Sequence, residues 1–273
     1  MRMLRLAILD LNNGVTNRGI ASIKAVLRPY ADVLEWKLFD VRAKGELPAA
    51  ADFDLFIMSG GPGSPLEGDG DWDRRFFALI DELWESNLQG IEPKKYVFFI
   101  CHSFEMACRH FQIGELSRRK STSFGTFPCY LTDSALADPI FQSLPNPFYI
   151  ADFRDWQVVN PDLLQIEALG AEILAMEYVR PHAPNERAIM AVRFSEEMMG
   201  TQFHPEADGP GMLHYFQTEE KMVHVLNEYG KPKYEQMIKD LSHPGKIQLT
   251  HDTVLPSFLD NSILKLKESL VPA

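Results

Sequence analysis

A cysteine at the junction of two predicted elements is the first candidate for chemistry. Cys101 directly follows residues 96–100, a run of aromatic and β-branched side chains that is typical of a strand buried on both faces. The apolar residues after it recur at the spacing of one helix face: Phe104, Ala107, Cys108 and Phe111. Cys101 is therefore predicted at a nucleophile elbow, where the helix N-terminus favours a thiolate. The alternative is an inert buried cysteine.

A histidine and a glutamate two residues apart are the candidates for a base and its partner. Residues 200–206 have the sequence GTQFHPE and are predicted to run from a strand into a loop. Residues two apart on an extended chain project to the same side, so Glu206 can bind one imidazole nitrogen of His204 while the other faces a thiol. That arrangement would activate a cysteine nucleophile. The alternative is a surface histidine and glutamate near a strand end.

A glycine-rich loop follows another apolar strand. Residues 59–64 have the sequence SGGPGS and come soon after the apolar run 53–57. Glycines after a strand allow backbone N–H groups to approach a ligand, as an oxyanion hole requires, so Gly61 and Gly63 are candidates for this role. The alternative is an ordinary loop rich in glycine and proline.

Together these segments resemble the class I (triad) glutamine amidotransferase family. The loop at 59–64 matches the family's SGGPxS loop, residues 100–101 match the end of its nucleophile strand, and residues 200–206 match its G-x-Q-F-H-P-E segment. The resemblance covers residues 4–206. It implies an α/β fold with an open, mostly parallel sheet flanked by helices, of the flavodoxin-like kind.

The resemblance also implies roles for five residues. Cys101, His204 and Glu206 would form a catalytic triad, and the backbone N–H groups of Gly61 and His102 would hold an oxyanion. Cys101 would form a thioester with the side-chain carbonyl of glutamine, and the released ammonia would pass to an acceptor. The family usually supplies this ammonia to a synthetase.

Three positions in the nucleophile segment depart from the family pattern G-x-C-x-G-x-Q. Phe99, Ser103 and Glu105 stand where the family has Gly, Gly and Gln. The family glutamine helps to hold the substrate, so Glu105 is a candidate binding residue with altered specificity, and Ser103 adds a Cβ at the tightest part of the turn. Where the family places a His-Ser pair against the substrate's α-amino and carboxylate groups, the candidates here are Asp155 and Trp156.

Composition and charge limit the class of protein. The 273 residues are 45% hydrophobic and 24% charged, as in a globular protein. The formal net charge of −11 argues against nucleic-acid or acidic-membrane partners. The three cysteines have no scaffold spacing, and there is no signal peptide or transmembrane run, so we expect a cytoplasmic protein. Without a G-x-G-x-x-G fingerprint or metal-ligand spacing, we expect no cofactor and no metal.

Strands and helices alternate over the first half of the chain, which predicts a parallel sheet with right-handed crossovers. Asn17 is expected to cap the first helix. From about Thr126 the pattern becomes β-rich. The predicted strand segments are 127–132, 148–151, 156–159, 172–179 and 188–194. Residues 181–185 are expected to form an exposed hairpin loop or, alternatively, a lid or partner contact.

The chain after the last motif has no counterpart in the compact family core. Helices are predicted at 212–229 and 234–241, followed by a tail at 243–273. We therefore expect an amidotransferase-like domain at 1–208 and a helical C-terminal extension at 209–273. The extension is expected either to pack against the domain or to help form a homodimer.

Three functions remain open from the sequence. The first is an amidotransferase-like glutaminase with glutamine as its small-molecule substrate; because no synthetase domain is recognisable in this chain, its acceptor chemistry is expected on another protein. The second is a stand-alone γ-glutamyl hydrolase or peptidase, for which Ser103 and Glu105 would accommodate a larger substrate or one with a cationic group. The third is a binding or regulatory protein with a weakened elbow.

Overall fold

Within the residues that the structure describes, nine strands form one central sheet. The computed structural model describes residues 2–15, 18–67, 70–180 and 187–270. The strands are β1 (Leu4–Asp10), β2 (Leu34–Asp40), β3 (Leu55–Met58), β4 (Tyr96–Ile100), β5 (Glu115–Leu131), β6 (Phe148–Val159), β7 (Glu172–Glu177), β8 (Ile189–Arg193) and β9 (Met198–Thr201). Their order across the sheet is β2-β1-β3-β4-β9-β8-β7-β5-β6. The pairs from β2 to β9 are parallel and the pairs from β9 to β6 are antiparallel, so the sheet is mixed.

Helices cover both faces of the parallel half. The α-helices of the described residues are α1 (Arg18–Leu27), α2 (Trp72–Leu88), α3 (His102–His110), α4 (Leu163–Leu169), α5 (Gly209–Phe216), α6 (Glu219–Tyr229), α7 (Lys231–Leu241) and α8 (Leu249–Ser269). Side chains alternate along each strand. Leu6 and Ile8 of β1 therefore pack in one core with α1 and α8, while Ala7 and Leu9 pack in a second core with α2 and α3.

The helical extension contains a helix whose position the sequence did not give: within the tail at 243–273, residues 249–269 form a long helix. The ring of Phe258 on α8 lies 5.1 Å from that of Phe98 on β4, in an edge-on contact. Leu255 and Leu259 are fully buried in the same core. The C-terminal helix therefore completes one face of the sheet. Pro256 lies inside this helix, which explains why the sequence pattern did not reveal it.

Helices α5 to α7 pack on the ribbon formed by β5 and β6. Their core includes Met212, Phe216 and Met237, with Phe124 and Phe153 of the ribbon packed against it. This ribbon is longer than the sequence predicted: the expected segment 127–132 is the end of a strand that begins at Glu115, and the segments 148–151 and 156–159 are one strand. The helix predicted at 212–229 is two helices, α5 and α6.

Two expectations, the helix cap at Asn17 and the loop at 181–185, lie outside the described residues. None of the helices in the described ranges combines the length and the apolar composition that a membrane crossing requires.

Candidate active site

Cys101 occupies a strained turn between β4 and α3. Its backbone has φ +52° and ψ −103°, a conformation that non-glycine residues rarely adopt and that costs energy wherever it occurs. The turn is held by two backbone bonds: the Cys101 N–H donates to the Thr201 carbonyl over 2.8 Å, and its carbonyl accepts from Glu105 N over 2.9 Å. The elbow predicted from the sequence is thus present in the structure, with Cys101 6% exposed.

Ser103, which replaces the family glycine, is part of what holds this turn. Its hydroxyl accepts a hydrogen bond from Ile100 N over 2.8 Å and donates to the Met58 carbonyl over 2.7 Å. The side chain is fully buried and joins the carboxyl ends of β3 and β4. The extra Cβ is therefore accommodated, and its hydroxyl ties two strands together.

The three predicted triad residues come together at the carboxyl ends of the parallel strands. His204 Nδ1 lies 2.7 Å from Glu206 Oε1, and Cys101 and His204 are close enough for each to shift the pKa of the other. The backbone N–H of His204 donates to the Ala151 carbonyl over 3.0 Å, which fixes the histidine against β6. Since Nδ1 binds the carboxylate, Nε2 is the nitrogen that is left to bind a second group.

The electrostatics of the site stabilise a charged imidazole. Burial by itself would lower the pKa of His204, but the charges of Glu206 and Cys101 outweigh it, so the pKa lies well above its usual value. Burial raises the pKa of the Cys101 thiol, and the neighbouring His204 only partly offsets this rise. The negative charges of Glu105 and Asp152 raise it further. The arrangement therefore favours the imidazolium that forms when the thiol gives up its proton.

The glycine loop after β3 lies directly over the cysteine and the histidine. A Cβ added at Gly60 would lie 3.1 Å from His204 Cε1 and 3.5 Å from Cys101 Cβ. A Cβ at Gly61 would lie 2.3 Å from the Leu11 carbonyl oxygen, so only glycine fits there. Gly63 has φ +98°, a conformation that also favours glycine. His102 is the first residue of α3, so its N–H has no acceptor within the helix.

Glu105 is buried near Cys101 rather than open to solvent. Its Oε1 accepts from Gln202 Nε2 over 2.9 Å, and its Oε2 lies 3.7 Å from His102 Nδ1. Glu105 is 3% exposed and Gln202 is fully buried. Within the described residues, Gln202 Oε1 and His102 Nε2 are buried without a hydrogen-bond partner. Contact of Glu105 with a substrate stays a prediction.

The structure places Asp155 and Trp156 on different sides of β6. Asp155 is exposed and accepts a hydrogen bond from Thr122 Oγ1 over 2.5 Å, whereas Trp156 is half-buried.

Two neighbouring charged residues were missed by the sequence reasoning. They are Asp152 and Arg154, both at least 96% buried. The alternation of side chains along a strand predicts that Asp152 and Arg154 lie on the same face of β6. No feature of the neighbouring sequence indicates that this face is buried.

A buried cluster around Arg154 and Asp152 links three strands of the antiparallel half. Its Nε lies 3.0 Å from both carboxylate oxygens of Asp152, and its Nη2 lies 3.3 Å from Glu177 Oε1 on β7. Ser123 of β5 donates to the same Asp152 over 2.6 Å. This buried ionic cluster supports the wall of the site, because Asp152 is close enough for its charge to raise the pKa of Cys101. In the ranges described, no three His, Cys, Asp or Glu side chains are grouped as a metal ion would need.

Comparison with known proteins identifies the family. The model for glutamine amidotransferase class-I matches residues 20–218, well over half of the chain. No curated protein sequence matches this chain. A glutamine amidotransferase from Thermotoga maritima has a similar crystal structure, with 13% identity, a TM-score of 0.70, and coverage of 96% of this chain and 99% of that one.

Two further solved structures share the fold. One is a putative GMP synthase subunit from Thermoplasma acidophilum, with 15% identity, a TM-score of 0.57, and coverage of 98% of this chain and 96% of that one. The other is the glutaminase domain of a Trypanosoma brucei CTPS with bound acivicin, with 12% identity, a TM-score of 0.56, and coverage of 99% and 96%. The fold, the elbow and the family match agree: this chain belongs to the glutamine amidotransferase class-I family.

Proposed function

We propose that the protein hydrolyses the side-chain amide of glutamine through a thioester on Cys101 and releases ammonia. The observation that carries this proposal is Cys101 at a strained elbow, beneath the same glycine as a histidine whose Nδ1 lies 2.7 Å from the Glu206 carboxylate. A buried thiol, a base and an orienting carboxylate are the groups that acyl transfer from an amide requires.

In the first half-reaction, His204 Nε2 accepts the proton of the Cys101 thiol as the sulfur attacks the amide carbonyl. The carbonyl π electrons move to oxygen, and the oxyanion accepts hydrogen bonds from the N–H groups of Gly61 and His102. The His204 imidazolium, which Glu206 stabilises, then gives its proton to the amide nitrogen. The C–N bond breaks, ammonia leaves and the acyl group remains on sulfur.

In the second half-reaction, His204 takes a proton from water as the water oxygen attacks the thioester. The same two N–H groups hold the second oxyanion. When the C–S bond breaks, the thiolate recovers its proton from His204 and glutamate is released. Glu206 keeps the imidazole in one orientation throughout, so one base serves both steps.

The ammonia would be used by a separate synthetase. One structural neighbour is described as a putative GMP synthase subunit, and this chain covers 96% of that neighbour, which supports a role beside a synthetase. The three cysteines are free and buried, which fits a reducing cytoplasm.

A γ-glutamyl hydrolase is the second candidate, and the observation that favours it is the buried carboxylate at Glu105. The family glutamine at this position is a neutral donor and acceptor, whereas a carboxylate accepts only. Glu105 therefore disfavours a substrate group that must accept a hydrogen bond and favours one that donates, such as an ammonium. A larger γ-glutamyl compound with such a group would use the same thioester chemistry.

The test is release of ammonia or amine from two substrates, glutamine and γ-glutamyl-glycine, by wild type and by Cys101→Ser. Turnover of glutamine that disappears in Cys101→Ser supports the glutaminase. Turnover of the dipeptide alone supports the hydrolase. If wild type and Cys101→Ser are equally inactive on both substrates, the catalytic proposal is wrong and a binding role remains.

A further inference from the structure

A serine side chain holds the first peptide of the glycine loop. Ser59 Oγ donates to the Gly60 carbonyl over 2.8 Å and accepts from Leu11 N over 3.0 Å. Ser59 is 3% exposed, so water competes little for either bond. The hydroxyl therefore connects the loop to the backbone that follows β1.

This bond determines the direction of the Gly61 N–H. The Gly60 carbonyl and the Gly61 N–H belong to one peptide, and in a trans peptide they point in opposite directions. The carbonyl is turned towards Ser59 Oγ and Leu11, on the β1 side. Because β3 lies between β1 and β4, the N–H points to the β4 side, where Cys101 ends the strand.

The rest of the loop is fixed to α3, the helix that follows Cys101. From α3, Ser103 donates to the Met58 carbonyl over 2.7 Å and Arg109 donates to the Pro65 carbonyl over 3.0 Å. Arg42 also donates to a carbonyl of this loop, that of Pro62. Because side chains bind carbonyl groups at the start, middle and end of the loop, its peptide groups have little freedom to rotate.

We propose that Ser59 is a positioning residue that sets the Gly61 N–H as an oxyanion donor in the free protein. The inference rests on the proposed amide hydrolysis and goes further, because a donor that is already directed at Cys101 needs no partner protein to complete the oxyanion hole. The protein would then hydrolyse glutamine at a basal rate without a partner. A synthetase would consume the ammonia but would not be needed to form the oxyanion hole.

The kinetic test compares Ser59→Ala with Ser59→Thr, which keeps the hydroxyl, and with Ser64→Ala as a control in the same loop. Among the described residues, Ser64 Oγ accepts an exposed bond from Leu66 N. Loss of one oxyanion donor costs about 10²–10³ in kcat, so a donor that is misdirected in Ser59→Ala should cost about 10- to 100-fold. KM should stay within about twofold because the amide still binds. Ser59→Thr should recover most of the rate, and Ser64→Ala should match wild type.

Two measurements separate this effect from others. Alkylation of Cys101 by iodoacetamide needs the thiolate but no oxyanion hole, so its rate should be the same in Ser59→Ala and wild type. Hydrogen–deuterium exchange of a peptide covering residues 58–66 should be faster in Ser59→Ala. If Ser59→Ala does not fold, Ser59→Cys keeps the volume with a weak donor and should show the same changes to a smaller degree.

Each outcome decides the proposal. An unchanged kcat in folded Ser59→Ala overturns it, and so does a parallel loss of iodoacetamide reactivity, which would place the defect at the nucleophile. If wild type hydrolyses neither glutamine nor γ-glutamyl-glycine, the proposed function fails. The exchange data then decide the role of Ser59 alone: unchanged exchange at 58–66 would show that this hydroxyl does not hold the loop.

Discussion

The side-chain amide of Gln202 donates to the carboxylate of Glu105 over 2.9 Å, close enough to Cys101 for the charge of Glu105 to raise the pKa of the thiol. Glu105 lies on α3, four residues after Cys101, and Gln202 directly follows β9, two residues before His204. The first turn of a helix therefore meets the segment that follows a neighbouring strand. The carboxylate of Glu105 therefore lies in the wall of the site, where its negative charge raises the pKa of the Cys101 thiol.

Replacing Glu105 should make Cys101 a better nucleophile at neutral pH. Burial is the main cause that raises the pKa of the thiol, and the charge of Glu105 adds to it. Glu105→Gln removes that charge and keeps the shape, so the pKa should fall and the pH profile of iodoacetamide alkylation should move to lower pH. Glu172→Gln on β7 is the control. A profile that does not move, or that moves to higher pH, would contradict this electrostatic account.

Glu206→Gln should slow amide hydrolysis strongly while the protein stays folded. Glu206 is the leading influence that raises the pKa of His204, against the effect of burial. Without its charge the pKa of His204 falls and the imidazolium is less stable, so kcat should drop by about 10²–10⁴-fold. The measurement is kcat for glutamine beside the thermal midpoint. A rate within about tenfold of wild type would mean that the carboxylate has no catalytic part.

Gly60→Ala should impair catalysis more than stability. The added Cβ would lie 3.1 Å from His204 Cε1, so the imidazole must move by a few tenths of an ångström. Small misplacements of reacting groups can cost about 10²-fold in rate, so we expect kcat to fall at least about tenfold. Steady-state kinetics and a thermal melt check this. An unaltered rate would show that the loop is further from the imidazole than the structure places it.

Phe258→Ala should test whether α8 is integral to the fold. The ring is 3% exposed and contacts Phe98 of the central strand β4. Such a truncation costs about 3–5 kcal/mol of unfolding free energy. Leu264→Ala on the same helix is the control: it is 57% exposed, so its cost should be within about 0.5 kcal/mol. Urea unfolding measures both. A cost below about 1 kcal/mol for Phe258→Ala would argue that α8 is only loosely attached.

The candidate triad residues could be named because each has a local signal. An apolar strand run precedes Cys101, and His204 and Glu206 are two residues apart. The structure places the side chains of His204 and Glu206 in hydrogen-bond contact, but through a turn at 205–206 and not on an extended chain. The fold class agrees with the prediction, and the catalytic roles stay a prediction. Local patterns were sufficient here because the chemistry lies at strand ends, whose positions the sheet topology fixes.

Long-range pairings could not be predicted. Arg154 binds Glu177, 23 residues away on another strand, and no local pattern shows which strands of the antiparallel half will be neighbours. The burial of Glu105 could not be predicted either, because a glutamate on a helix is usually exposed to solvent. Its burial here comes from tertiary packing, which places its carboxylate against the side-chain amide of Gln202. Such contacts depend on tertiary packing, which the spacing of residues in sequence does not encode.

The most direct test of the central claim is the intact mass of the protein after brief exposure to a diazo-ketone analogue of glutamine. Wild type is compared with Cys101→Ser, and iodoacetamide is used on a parallel sample. The account predicts stoichiometric labelling of wild type and none of Cys101→Ser, because on the proposed function Cys101 attacks a glutamine side chain held in this site. If the analogue leaves wild type unlabelled while iodoacetamide modifies Cys101, glutamine is not the substrate of this site.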